Sequence, residues 1–285
     1  MNIILITSVV VFMTVQSMHS KRYIRKNDGN GPFIYASLSA LAAALMFTVI
    51  GWGNLDFSMD TLVYSIGFAL SYSLCSIFSF YSIKTGSLAL TSLLTSYSLI
   101  VPSASAIVLF DEPVTKWLLT GIGLMLVSIT LVNLPEKKSE LKISFKWLVF
   151  VFLAFLGNGL CSTVQTIQQR TFDGNYKNEF MIVALLISAT ISAMAAIFAE
   201  RGTLKRSIKV GTSLAVANGI VNAFVNLFVM MLVMVMNASV VYPLISVGGI
   251  VATGIVSVLV YKEKLSAKQI AGIVTGAAAI VFLNI

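Results

Sequence analysis

The chain has 285 residues, of which 58% are apolar and only 11% charged, and its mean hydropathy is +0.93. That composition excludes a water-soluble globular domain of this length and points to an integral membrane protein. The net charge of +8 would suggest a nucleic-acid partner in a soluble chain. Here the basic loops of a membrane protein account for it, and the expected surroundings are the lipid bilayer.

A helix needs about 20 mostly apolar residues to cross the roughly 30 Å hydrocarbon layer. Ten such stretches follow one another: 2–18, 33–52, 61–82, 87–109, 117–134, 147–168, 180–199, 210–236, 238–260 and 267–285. Each is apolar all round, which a barrel strand with one wet face cannot be. The first stretch has no basic residue before it and no small-residue cleavage site after it. Its positive charges, Lys21, Arg22, Arg25 and Lys26, follow instead, so it reads as a retained span and not as a signal peptide.

The chain also repeats itself. TVQSMHSK at 14–21 returns as TVQTIQQR at 163–170, FDEPVTKWLLTG at 110–121 falls on YKEKLSAKQIAG at 261–272, and LVN at 131–133 falls on FLN at 282–284. The expected organisation is therefore a first five-helix repeat over 1–135, a connecting loop over 136–146 and a second repeat over 147–285. Five crossings are odd in number, so the second copy must enter the membrane upside down, related to the first by a two-fold axis in the membrane plane. The fold class expected is an all-α integral membrane protein with ten transmembrane helices as two inverted five-helix repeats.

Charge tests that inversion independently. Loops after the first, third, fifth, seventh and ninth stretches hold 16 of the Lys and Arg residues, and the opposite loops hold 3. By the positive-inside rule the basic side is cytoplasmic and both termini lie outside it.

The tail of each half now shows a resemblance. Pro243 inside a helix, then EKLSAKQIAG at 263–272, then the small-residue helix IVTGAAAIVFLNI resembles the EamA-type members of the drug/metabolite transporter superfamily. FYSIKTGSLALTSLLTSYSLIVP at 80–102 is similar to that family's junction of third and fourth helices. The first-half tail departs from the pattern, with Pro113 and Leu118 where the second has Lys264 and Gln269. The resemblance implies a small-molecule transporter of the cell membrane, usually drawn with cytoplasmic termini, opposite to the charge count.

Inverted-repeat transporters bind substrate near mid-membrane, where a polar group is costly unless another polar group meets it. Helix six offers Asn158, Ser162, Gln165 and Gln169 on one face, and helix eight offers Asn218, Asn222 and Asn226 on one face. Gln16 is the counterpart of Gln165. Helix three carries Ser71, Tyr72, Ser73, Ser76 and Ser79, and helix four adds Thr91, Thr95 and Ser98. Of these, Gln16, Gln165, Asn158, Ser162, Asn218, Asn222, Asn226, Ser71 and Tyr72 are the candidate substrate-binding residues. The plainer alternative for each is glue between helices, at about 0.6 kcal/mol per hydrogen bond. Pro102 and Pro243 are expected to bend helices four and nine as gate elements, or merely to help packing.

All eleven acidic residues lie in loops or at helix ends, which argues against proton exchange through a membrane-embedded carboxylate. His19 beside Lys21 and the interfacial Lys84 are weaker candidates for coupling and for holding a substrate carboxylate. Cys75 and Cys161 stand far apart and read as filler. With one histidine and no His/Cys cluster, neither a metal nor a cofactor is expected. Nor is an enzyme, because no nucleophile has a base beside it.

The expected function is secondary transport of a small neutral or zwitterionic organic metabolite by alternating access, as uniport or exchange. The resemblance adds amino-acid-, nucleoside- or sugar-like substrates. The alternatives are a proton-coupled drug or metabolite exporter and, behind it, a non-transporting scaffold or membrane enzyme. A monomer suffices for this fold, and a homodimer stays open.

Overall fold

The computed structural model describes residues 2–85, 88–133, 144–259 and 266–283. Within them the regular structure is helical: α1 (Asn2–Lys26), α2 (Pro32–Ile50), α3 (Met59–Thr85), α4 (Leu88–Tyr97), α5 (Ile100–Phe110), α6 (Lys116–Asn133), α7 (Phe145–Thr171), α8 (Lys177–Ala199), α9 (Leu204–Val235), α10 (Ala238–Leu259) and α11 (Ala267–Leu283). No strand occurs among the described residues. Seven helices are long and apolar enough to cross a membrane, and three shorter apolar segments, Leu94–Phe110, Lys116–Val132 and Ala267–Leu283, accompany them. The protein is a multi-pass, all-α membrane protein. Most of the expected connecting loop, and the residues 261–265 of the second motif, lie outside the described residues.

The fourth apolar stretch is not one helix. α4 ends at Tyr97, Ser98 and Leu99 form a turn, and α5 starts at Ile100. Pro102 therefore sits in the first turn of a new helix, where its missing N–H has no partner to lose, and not in the middle of a continuous one. Pro243 does lie inside α10.

Helix ends sort to two faces of the bundle. On one, Tyr23 near the end of α1 stacks on Tyr35 of α2, Asn27 donates to Ser207 of α9 (2.9 Å), and Arg206 pairs with Asp28 (2.6 Å). Glu200, just past α8, accepts the N–H groups of Phe33 (2.7 Å) and Ile34 (3.1 Å) and so caps α2, whose own N-cap Gly31 has no side chain to offer. Burial pushes the Glu200 carboxyl above its usual range, against the pull of those two amides and of Lys84. On the other face, Glu179 at the start of α8 accepts from the Asp56 N–H (2.8 Å), and Glu112 accepts from Ala238 and Ser239 at the start of α10 (2.8 Å each). The first face bears the basic loops after α1 and α8.

The loops after α1 and α7 have the same backbone. Asp28 and Asp173 take φ of 50° and 48°, Gly29 and Gly174 take 73° and 76°, and Gly31 and Tyr176 take 72° and 55°. Gly29 bonds back to Ile24 as Gly174 does to Gln169, and Asn30 to Asn27 as Asn175 does to Phe172. Positive φ suits glycine, and aspartate tolerates it through its short polar side chain.

Helices approach closely where side chains vanish. A Cβ on Gly157 of α7 would lie 2.6 Å from the Cys75 nitrogen of α3, and one on Gly219 of α9 would lie 2.2 Å from the Ser39 oxygen of α2. In lipid such contact, and not exclusion from water, holds helices together. Ser37 adds a bond from α2 to the Ala189 carbonyl of α8 (2.8 Å), and Ser128 one from α6 to Gly272 of α11 (2.7 Å).

Candidate functional site

The break between α4 and α5 borders a cavity of about 600 Å³. It is built by helices from both halves of the sequence. α1 contributes Thr14 and Ser17, α3 contributes Cys75 and Ser79, and α4 contributes Thr95 and Ser96 with Leu99 from the turn. From the second half come Asn158 of α7, Ser246, Gly249 and Gly254 of α10, and Gln269 of α11. No Asp, Glu, Lys or Arg and no aromatic ring is among the described lining residues. The wall therefore offers hydroxyl and amide groups set among aliphatic side chains, which suits a polar solute without net charge.

The local sequence explains this lining. Hydroxyls on a helix can satisfy themselves against the preceding turn, as Thr14 does with the Val10 carbonyl (2.8 Å) and Thr95 with that of Thr91 (2.8 Å). They can thus line an apolar bundle at low cost while an oxygen stays available to a ligand. Asn158 donates to Ser98 at the helix break, which ties α7 to the turn. Gly159 one position later lies so close to that turn that a Cβ would fall 2.7 Å from that of Val101.

The cavity is off-centre. Thr14 and Asn158 stand at mid-helix and Leu99 in the turn between α4 and α5, whereas Ser79, Val132, Gly254 and Gln269 stand toward the helix ends on the face that carries Lys26, Lys84 and Arg206. It extends toward the basic face.

Of the nine candidate binding residues, Asn158 lines this cavity and the other eight do not. Gln165 is buried and donates to Asn226 (3.2 Å), which donates in turn to the Asn222 side chain (3.0 Å). This amide chain joins α7 to α9. Asn218 donates to Ser39 of α2 (3.3 Å), and its oxygen is buried without a hydrogen-bond partner. Ser162 gives its carbonyl to the Tyr242 hydroxyl (2.9 Å), which also pairs with Thr166 (2.7 Å). Ser71 bonds back to Gly67 at the α3–α7 crossing, and Tyr72 stacks on Phe68 in a core shared by α2, α3, α8 and α9. Gln16 is half-buried on α1, on a different side of the helix from Thr14 and Ser17. Lys84 lies over the Phe80 ring, 4.3 Å from its centroid, and His19 is half-buried; neither lines the cavity.

Sequence reasoning passed over Thr14, Ser17, Ser246 and Gln269. A signal existed for three of them: Thr14 and Ser17 belong to the repeated TVQS word, and Gln269 to the second-half motif. No group of His, Cys, Asp and Glu among the described residues could hold a metal ion.

No family model and no curated protein matches the chain. A solved structure described only as the crystal structure of a protein aligns with a TM-score of 0.77 over 99% of this chain and 95% of that one, at 13% identity. At that identity the likeness concerns the fold alone.

Proposed function

We propose that this chain is a secondary transporter of the EamA type in the cell membrane, crossing it ten times as two inverted five-helix repeats, 1–135 and 147–285. It carries a small neutral or zwitterionic metabolite by alternating access, as uniport or exchange, and catalyses no reaction. The observation that carries this reading is the uncharged polar cavity of about 600 Å³ between helices of both halves, beside a broken helix. Discontinuous helices at mid-membrane are where inverted-repeat transporters hold their cargo.

Two further observations support the repeat. Helix contacts survive an exchange of halves: α3 packs on α7 as α9 packs on α1, α2 on α9 as α8 on α3, and α1 on α10 as α7 on α4 and α5. The twin loops at 28–31 and 173–176 follow the same exchange.

The test is purified protein screened for thermal stabilisation by amino acids, nucleosides and sugars, followed by flux of the hits into proteoliposomes. Asn158→Leu is expected to weaken binding about tenfold, because a ligand polar group loses its partner. Absence of any stabilising metabolite and of any flux overturns the reading. Uphill accumulation driven by a pH gradient alone replaces exchange with proton coupling.

A further inference from the structure

An ion pair fastens the end of the bundle away from the basic loops. Arg170, in the last turn of α7, donates to Glu112 at 2.7 Å, and the Glu112 side chain is only 2% exposed. Neither partner is spent on the other alone. Glu112 also accepts the first amides of α10, from Ala238 and Ser239, and Arg170 also donates to the carbonyls of Val233 (3.1 Å) and Met236 (3.3 Å), where α9 gives way to α10. Its guanidinium lies 5.0 Å from the centroid of the Phe110 ring of α5. Four helix ends, those of α5, α7, α9 and α10, thus meet at a single pair of charges.

Between that pair and the cavity lies the Thr166–Tyr242 contact, set in an apolar cluster that includes Ala106, Val233 and Val241. The cavity walls, by contrast, run from mid-helix toward the basic face. A solute in the cavity therefore meets a packed plug, and then an ion pair, on its way to the other face. A buried pair of this kind adds little to stability but is costly to break one-sidedly, which suits a two-position element better than a permanent strut.

We propose that Arg170 and Glu112 form the latch of a gate that closes the face remote from the basic loops. It opens when α7 and the α9–α10 corner part from α5 to expose the cavity on that side. The repeated words of the sequence end in this latch. TVQTIQQR supplies Arg170 and FDEP supplies Glu112, and the same registers place Lys21 and Glu263 in the other copy.

The proposal rests on the transporter reading, and its test separates the two. Cys75 lines the cavity, so in a Cys161→Ala background a membrane-impermeant maleimide, applied to one face of vesicles at a time, reports which face reaches it. Wild type is expected to label from the basic face. Glu112→Gln and Arg170→Gln should raise labelling from the opposite face about tenfold, a usual size for a shifted two-state equilibrium. Arg170→Lys keeps the charge but loses the forked geometry, and should fall between. Correctly folded variants whose Cys75 labels as in wild type from both faces overturn the latch, even if flux is normal. If the glutamine variants fail to fold, the same result from Arg170→Lys overturns it. Wild-type Cys75 that labels equally from both faces, with no flux of any metabolite, counts against the transporter reading itself.

Discussion

The two copies of one sequence word meet different surroundings. In α1, TVQSMHSK turns Thr14 and Ser17 to the cavity and leaves Gln16 half-buried beside them. In α7, TVQTIQQR is packed: Gln165 bonds to Asn226, Thr166 to Tyr242 and Arg170 to Glu112. The loops that follow nonetheless share one pattern of positive φ. Local sequence sets the local backbone, and the partner across the interface decides whether a polar side chain is structural or available. Repeated words therefore do not carry identical roles.

The comparison can be broken most forcibly at the α3–α7 crossing. The register of the repeat puts Ser8 of α1 opposite Gly157 of α7. Gly157→Ser makes α7 resemble α1 but drives a Cβ to within 2.6 Å of backbone. A loss of about 3 kcal/mol is expected, read as a fall in the unfolding midpoint in detergent. An unchanged midpoint means that the crossing is looser than described.

Next in size is the glutamine pair. Gln165→Leu strands the Asn226 oxygen and should cost about 2 kcal/mol, whereas Gln16→Leu should stay within about 0.5 kcal/mol. Equal losses in the two unfolding curves would erase the distinction between the packed copy and the unpacked one.

The loops offer the opposite kind of test, one of sameness. Gly29→Ala meets nothing within 4 Å, and Gly174→Ala meets only Met234 at 3.7 Å, so the strain of positive φ alone remains. Each should cost about 1 kcal/mol, and a difference of more than about 0.5 kcal/mol between them would deny that the turns are duplicates.

The smallest effect concerns pH. Glu200 titrates above its ordinary value of 4.5 in the folded protein. Its contribution to stability is therefore full below about pH 4.5 and is lost as pH rises through the raised value. Glu200→Gln should flatten that slope in a series of unfolding curves, and an unaltered slope assigns it to another group.

The all-helical, multi-pass character was legible because length and apolarity suffice to nominate a crossing, and seven of the helices are long and apolar enough to make one. The break at Ser98–Leu99 was not, since the stretch is apolar on both sides and a proline can either bend a helix or begin one. The amide stripes were legible as faces, but a helix wheel does not say what a face meets. Gln165 of α7 and Asn226 of α9 meet each other, whereas Asn158 meets Ser98 and Asn218 meets Ser39. Of the cavity lining, Thr14, Ser17 and Ser246 escaped notice because serine and threonine in apolar helices look self-satisfied, as Thr14 is. The duplicated Asp-Gly-Asn turns at 28–30 and 173–175 are separated by 145 positions and the TVQ words by 149. α1 thus carries four extra residues before its turn, about one helical turn, which keeps the face while hiding the match from any single register.

The buried carboxylates have a consequence for biosynthesis. Glu200, late in the chain, closes the exposed amides at the start of α2, and Glu179 does the same for Asp56. Glu112, early in the chain, waits for α10 to arrive. Each of these amides is thus met by a carboxylate at least 123 residues away in the chain. A chain cut before Glu200 is therefore expected to leave the first amides of α2 uncapped, a helix end open to water that the full chain closes.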